Sequence, residues 1–459
     1  MDGTMLRETL QVVLPQDVIE RKARDVGVIQ RERRLDVVKL VDSLVLSAGS
    51  DDSGVLADAY RRYKGERGHD VVRGAFYAWL DDELAALLQD LLEQAMRYAS
   101  SLPACPPGAP GAVEDWVAFD SETVTLRPEL ADIFPASGSP AGVKVHKELS
   151  LGRGCMTACH FGPAREHDSP HLVVDDRYRR KGLLVDLGFV SLKFLRDCEA
   201  HEVKYVIRLK RNWKPRVLHV HRGEVLEDFL PGTDFDRLLV DEVIKLNGRC
   251  VDAEVTLGKG KQEVKARLVM IPGGPEGYLI YLTNLPRATH GPRLAGDLYR
   301  ARWEVEGDNK LDKSGAQLDQ IRATTESSVR IQLIAKLLHS LLVDILVHRD
   351  RLERLEAQET RRAPLHGLSL AFALRARHAL LLAALLDPAT PLERWNDLAR
   401  SIAADARDPN WRSRPSVLDR LLGLTAPRGR PRRKKLRDCR PSAAPYRRNA
   451  MSNYSHAVN

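Results

Sequence analysis

The chain has 459 residues, 43% hydrophobic and 29% charged, with a formal net charge of +8. This is the balance of an ordinary soluble protein, long enough for two to four domains and a sizeable core. No run reaches the ~18 uninterrupted apolar residues of a membrane helix. Residues 1–15 are too polar and charged for a signal peptide. The six cysteines are scattered, which fits reduced thiols rather than a disulfide framework. A cytoplasmic protein without a membrane partner is therefore expected.

Residues 1–100 read as helical, with apolar residues at helical spacing over 35–46, 56–63, 71–80 and 83–98. Small helical domains of this kind often bind DNA. A proline-rich joint at 103–110 marks a boundary. The texture then changes. Segments 116–119 and 123–126 predict strands around Asp120, 142–149 alternates in strand fashion, and 182–185 is a short apolar run ending at Asp186. A helix is expected over 191–200 and a strand over 204–209. Further strands are expected over 216–221, 239–246, 251–257, 263–271 and 278–283, which suggests a mainly antiparallel insertion. Helices return over 299–313, 327–348 and 365–386. Residues 426–448 hold ten Lys or Arg against one acid, while the rest of the chain carries 61 basic and 62 acidic groups. The positive charge is thus concentrated in a tail, expected to be disordered and suited to phosphate backbones.

The most specific motif is Tyr299-x2-Arg302-x3-Glu306-x6-Lys313. On one helix, at ~100° per residue, these four would line an arc of roughly 60°. One carboxylate, two cations and a phenol make a poor core face and a good surface for holding a divalent metal beside phosphates. A two-metal phosphoryl-transfer site needs about three carboxylates from separate elements. Asp120, Asp186 and Glu306 are the candidates, the first two expected at strand ends.

These residues resemble the signature of the DDE transposases of bacterial insertion sequences, specifically the insertion-sequence 4 family. Val117-Ala-Phe-Asp120-Ser is similar to the strand of the first Asp in that family. Gly182-Leu-Leu-Val-Asp186, followed by Lys204-Tyr-Val-Ile-Arg208-Leu-Lys210, is similar to the region of the second. Residues 278–285 resemble the strand before the signature helix, and the likeness covers about 115–345. Two departures stand out: Leu187 replaces a frequent Arg, and Gly307-Asp308-Asn309 replaces a bulky apolar segment.

The resemblance implies an α/β fold. An RNase H-like mixed-sheet core (112–210 and 278–350) would be interrupted by an antiparallel β insertion (211–277). Flanking it would be a helical DNA-binding domain (1–102), a C-terminal helical region (351–424) and the basic tail (425–459). It implies that Asp120, Asp186 and Glu306 ligate two Mg²⁺, with Mn²⁺ able to substitute. It also implies that Tyr299, Arg302 and Lys313 meet DNA phosphates. Arg208 and Lys210 belong to a basic patch with Arg211 and Lys214 that could contact DNA flanks, and Trp303 could stack on a base. The implied activity is DNA strand cleavage and strand transfer at terminal inverted repeats by a homodimer in the synaptic complex. The alternatives are a catalytically decayed DNA-binding relative, or a nuclease without strand transfer.

Two further features stand outside that signature. Cys155-x3-Cys159-His160 has half the spacing of a zinc site but no second pair, so buried thiols are expected. His146 and Glu166-His167-Asp168 fall between the two Asp motifs, and ordinary hydrogen-bonded histidines are expected there.

Overall fold

A computed structural model describes residues 1–28, 35–49, 55–65, 71–108, 111–221, 250–273 and 277–425. The expected strand over 239–246 and the basic stretch from 426 onward lie outside the described residues.

Six helices come first: α1 (Gly3–Val13), α2 (Gln16–Asp25), α3 (Val37–Leu46), α4 (Val55–Lys64), α5 (Arg73–Ala78) and α6 (Asp82–Ser101). Asp2, Asp36 and Asp81 cap α1, α3 and α6 by accepting backbone N–H bonds, which satisfies donors the first turn leaves open. Next come β1 (Trp116–Leu126), β2 (Ala141–Ser150), β3 (Cys155–Pro163), β4 (Gly182–Leu184), α7 (Leu192–Ala200) and β5 (Lys204–Arg208). Then follow β6 (Arg216–Val220), β7 (Val251–Leu257), β8 (Val264–Pro272) and β9 (Tyr278–Thr283). The last helices are α8 (Pro292–Ala301), α9 (Trp303–Lys310), α10 (Glu326–Glu356), α11 (Gly367–Ala376), α12 (His378–Leu386), α13 (Leu392–Ala406) and α14 (Val417–Leu421).

The strands form one mixed sheet in the order β3-β2-β1-β4-β5-β9-β8-β7-β6. β1, β2 and β3 pair antiparallel, and β1, β4 and β5 run parallel. From β5 through β9, β8 and β7 to β6 the pairing is antiparallel again, so the strands of 211–277 extend the same sheet. Alternation along β1 sorts its side chains onto two faces. Trp116 and Ala118 join a cluster with α8 and α9, while Val117 and Phe119 join one with α7 and β7. The helices α1, α3 and α6 share a core with α10–α13 and with Val143 and Val145 of β2. Of the described helices, α10 alone is by itself long and apolar enough to cross a membrane, and 89% of its apolar window is buried inside the protein.

Four expectations differ. Residues 116–126 form one strand, so Asp120 lies mid-strand and not at a strand end. β3 was not anticipated. The segment 299–313 is not one helix: α8 stops at Ala301, α9 starts at Trp303, and a π-turn covers Leu311–Gly315. The break comes from tightened bonds, with Arg302 N–H donating to Tyr299 O (3.1 Å) and Val305 N–H to Arg302 O (3.0 Å). The stretch 365–386 bends by 71° between α11 and α12.

Candidate active site

The parallel register of β1 and β4 aligns Trp116 with Gly182, Val117 with Leu183 and Ala118 with Leu184. Asp120 and Asp186 each lie two residues beyond the Ala118–Leu184 pair, Asp120 still within β1 and Asp186 just past the end of β4. Leu184 packs with Ala118 in one cluster, while Leu183 and Val185 pack in the other. Alternation therefore turns Asp120 toward α8 and α9. The close pairing depends on Gly182: a Cβ there would lie 2.3 Å from the Trp116 ring. Trp116 is itself fixed, fully buried and donating from Nε1 to Pro107 O at 2.9 Å.

The third carboxylate reaches this edge through α9. Asn309 Nδ2 donates to Asp120 Oδ2 at 2.6 Å. Glu306 lies one turn earlier on the same helical face. It is exposed, with Arg302 Nη2 3.4 Å from its Oε1. The Asn309–Asp120 bond thus ties α9, the helix that carries Glu306, to β1. Carboxylate oxygens are hard donors, which suit hard divalent cations better than soft ones.

A buried lysine holds the arrangement. Lys147 lies directly across β2 from Asp120. Its Nζ donates to Asp308 Oδ2 and Asp312 Oδ2, each at 2.6 Å, with Lys147 and Asp312 both 2% exposed at the side chain. Burial alone would lower the lysine pKa, but the two carboxylates drive it well above the ordinary value. Burial, then the charges of Asp308 and Asp312, pushes the carboxyl of Asp344 on α10 well above the usual carboxylate range. Lys147 therefore ties β2 to α9 and the π-turn, and so fixes where Glu306 and Asn309 sit over Asp120. Sequence reasoning missed Lys147, Asp308, Asp312 and Asn309. The available signal was a lysine inside an alternating strand together with Asp308 and Asp312 at i,i+4.

Lys313 is 51% exposed at the side chain, and its ammonium lies 3.4 Å from Glu122 Oε1. Glu122 follows Asp120 by two residues on the same face and is 2% exposed. Burial, then the charge of Asp312, pushes its pKa from 4.5 up to about 7 against the pull of Lys147 and Lys313. Between those values the folded chain keeps a proton that the unfolded chain has released. Stability should therefore fall as pH rises from about 4.5 to about 7. We expect urea unfolding to lose on the order of 2 kcal/mol from this group across the window. Glu122→Gln should flatten that part of the slope, and an unchanged slope would exclude this origin.

The other predicted residues distribute unevenly. Tyr299 is only 4% exposed, packed on Tyr281 with ring centroids 5.2 Å apart and with Arg302 over its ring at 5.8 Å. Burial raises its phenol pKa, opposed by Arg302, and Asp186 and Arg208 are close enough to act on it. Trp303 is 62% exposed beside Arg302. Arg208 is exposed at the end of β5, and Lys210 sits 5.9 Å from the Trp213 ring centroid. Cys159 and Phe161 pack on the helical core, whereas His160 is exposed beside His146 and His171. Cys155 and Cys159 are free, and burial keeps both as thiols.

The family model described as "Transposase DDE domain" matches residues 112–342. Among curated proteins, the transposase for insertion sequence element IS231F of Bacillus thuringiensis subsp. israelensis is 23% identical over 251 residues, 46% of this chain and 51% of that protein. The putative transposase for insertion sequence element IS4SA of Synechocystis is 21% identical over 214 residues, 45% and 53% of the two chains. The chain thus spans about half the length of the curated relatives it matches. A piggyBac transposase synaptic complex with hairpin DNA aligns over 90% of this chain and 89% of that one, at 11% identity and a TM-score of 0.44, too distant to carry an argument. The transposase model alone spans half of the residues, from the loop before β1 into α10, and the chain belongs to the transposase DDE domain family.

Proposed function

We propose that the chain is an insertion-sequence 4 family transposase that cuts DNA at terminal inverted repeats and joins the freed ends to target DNA. The observation that supports this reading is the parallel pairing of β1 with β4, beyond which Asp120 and Asp186 each follow by two residues, with the helix of Glu306 pinned to Asp120 through Asn309. The strand order 3-2-1-4-5, antiparallel then parallel, supports an RNase H-like core. On this reading 112–210 and 278–350 form that core, 211–277 is inserted, 1–102 recognises DNA, and 351–424 and 425–459 complete the helical region and tail. The working form is a homodimer on DNA, in the bacterial cytoplasm.

Asp120, Asp186 and Glu306 would hold two Mg²⁺ ions, which supply the Lewis acidity that activates a water or 3′-hydroxyl and stabilises the departing oxygen. Arg302 steadies Glu306 and is close enough to reach a phosphate. Tyr299 braces Arg302 from beneath. Arg208, Lys210 and Lys313 line the approach to the sheet edge and would meet the DNA backbone, Lys313 leaving Glu122 to do so.

Trp303 would stack on a base near the cleaved bond. Trp303→Ala should leave the midpoint of thermal unfolding unchanged, because the ring is mostly exposed. Cleavage should fall roughly tenfold, the lower part of the ~1–3 kcal/mol that base–aromatic stacking contributes. A large loss of stability would assign the ring to packing instead.

The test is Mg²⁺-dependent nicking and joining by the full chain on DNA carrying the inverted repeats that flank its reading frame. Nicked ends together with joined products are expected. Nicking without joining would make the chain a nuclease, and binding without nicking would make it a decayed relative.

A further inference from the structure

The opposite face of β1 and β2 carries a second constellation of side chains. His146 lies across from Ser121 and alternates with Lys147, so it points away from α9. Its ring is 7% exposed, and neither ring nitrogen has a hydrogen-bond partner. A buried imidazole with both nitrogens idle is costly and calls for an explanation.

The neighbours of His146 supply one. The His171 ring stacks on it with centroids 3.7 Å apart at 23°. His171 Nε2 lies 3.3 Å from Glu166 Oε2. One ligand atom each from His146, Glu166 and His171 fall within 4.8 Å of one another. His160, paired with His146 across β2 and β3, has its ring centroid 5.2 Å from that of His171. Asp168 Oδ1 stands 3.7 Å from His146 Nδ1 while accepting from Ser121 Oγ at 2.7 Å. It can orient the histidine from behind, as carboxylates do for metal-bound imidazoles.

We propose that His146, His171 and Glu166 bind one divalent transition-metal ion of the zinc class, at a site separate from the Asp120–Asp186–Glu306 carboxylates. Two imidazoles and one carboxylate disfavour Mg²⁺ and suit Zn²⁺, Co²⁺ or Ni²⁺. Bonds of about 2.0–2.1 Å at tetrahedral angles bring ligand atoms to roughly 3.3 Å apart. Rotation of the Glu166 and His171 side chains, 39% and 24% exposed, closes the present span. Water or His160 completes the shell. The ion would fasten the loop of residues 164–171 to β2 and, through Asp168 and Ser121, to the strand that carries Asp120. This inference goes beyond the proposed activity and does not depend on it.

The experiment is calorimetric titration of the full chain with Zn²⁺ alone, with Co²⁺ absorption as a second readout. A triple substitution, Asp120→Ala/Asp186→Ala/Glu306→Ala, removes the other carboxylates. One equivalent of Zn²⁺ should bind to the triple variant, and at least one to the native chain, with a Co²⁺ spectrum of mixed nitrogen and oxygen ligands in the triple variant. His171→Ala and Glu166→Ala, at partly exposed positions where circular dichroism should confirm folding, should each weaken binding at least about tenfold. No binding by the native chain, full binding by both single variants, or loss of binding in the triple variant would each overturn the site. None of these results touches the nicking assay.

Discussion

Glu306→Ala should abolish strand cleavage and leave binding to DNA ends nearly intact. Metal ions at a phosphoryl centre contribute several kcal/mol of charge stabilisation, and about 4 kcal/mol is roughly a thousand-fold in rate. A loss of at least that size is expected once one of three ligands is gone. Glu306 is 46% exposed at the side chain and, among the described residues, pairs with Arg302, so stability should shift by no more than about 0.5 kcal/mol. DNA-end affinity should hold or rise slightly, because the change releases a guanidinium and removes a negative charge. Gel-shift and nicking assays on the same preparation separate the two effects. Cleavage surviving at native rate would remove Glu306 from the site, and with it the reading of α9 as the third arm.

Lys147→Met should act at a distance with the largest structural cost. Removing one partner of a buried ion pair costs about 3–5 kcal/mol, a large share of the 5–15 kcal/mol typical of a folded domain. Here two carboxylates, Asp308 and Asp312, would lose their shared cation, next to Asp344, whose carboxyl their charges already push above the usual range. The added change Asp312→Asn should recover part of the loss, since it leaves one uncompensated charge where there were two. Cleavage should drop in Lys147→Met even where the chain remains folded, because Glu306 and Asn309 lose their tether to β2. Urea midpoints for the single and double variants decide the point: equal destabilisation in both would show that charge pairing is not the cause.

How much of this could be read from the residues varies by element. Strands β7 and β9 match their expected limits because alternating or wholly apolar runs end at turn residues. Strand β3 was illegible, since Cys-Met-Thr-Ala-Cys-His-Phe-Gly-Pro holds few β-branched residues and no clean alternation. The break at Arg302 carries no proline or glycine, so periodicity ran straight through it. Asp120, Asp186 and Glu306 were grouped from the needs of a metal site and from resemblance. Spacing along a chain does not reveal the β1–β4 pairing beyond which the two aspartates follow. The Lys147 network stayed hidden because lysine usually marks a solvated position.

The common core of α1, α3 and α6 with α10–α13 constrains how such a protein can diversify. A terminal segment that plugs the hydrophobic interior cannot be traded between relatives as a cassette. New binding preferences must instead accumulate by single replacements on exposed faces, while the interior packing is kept unchanged.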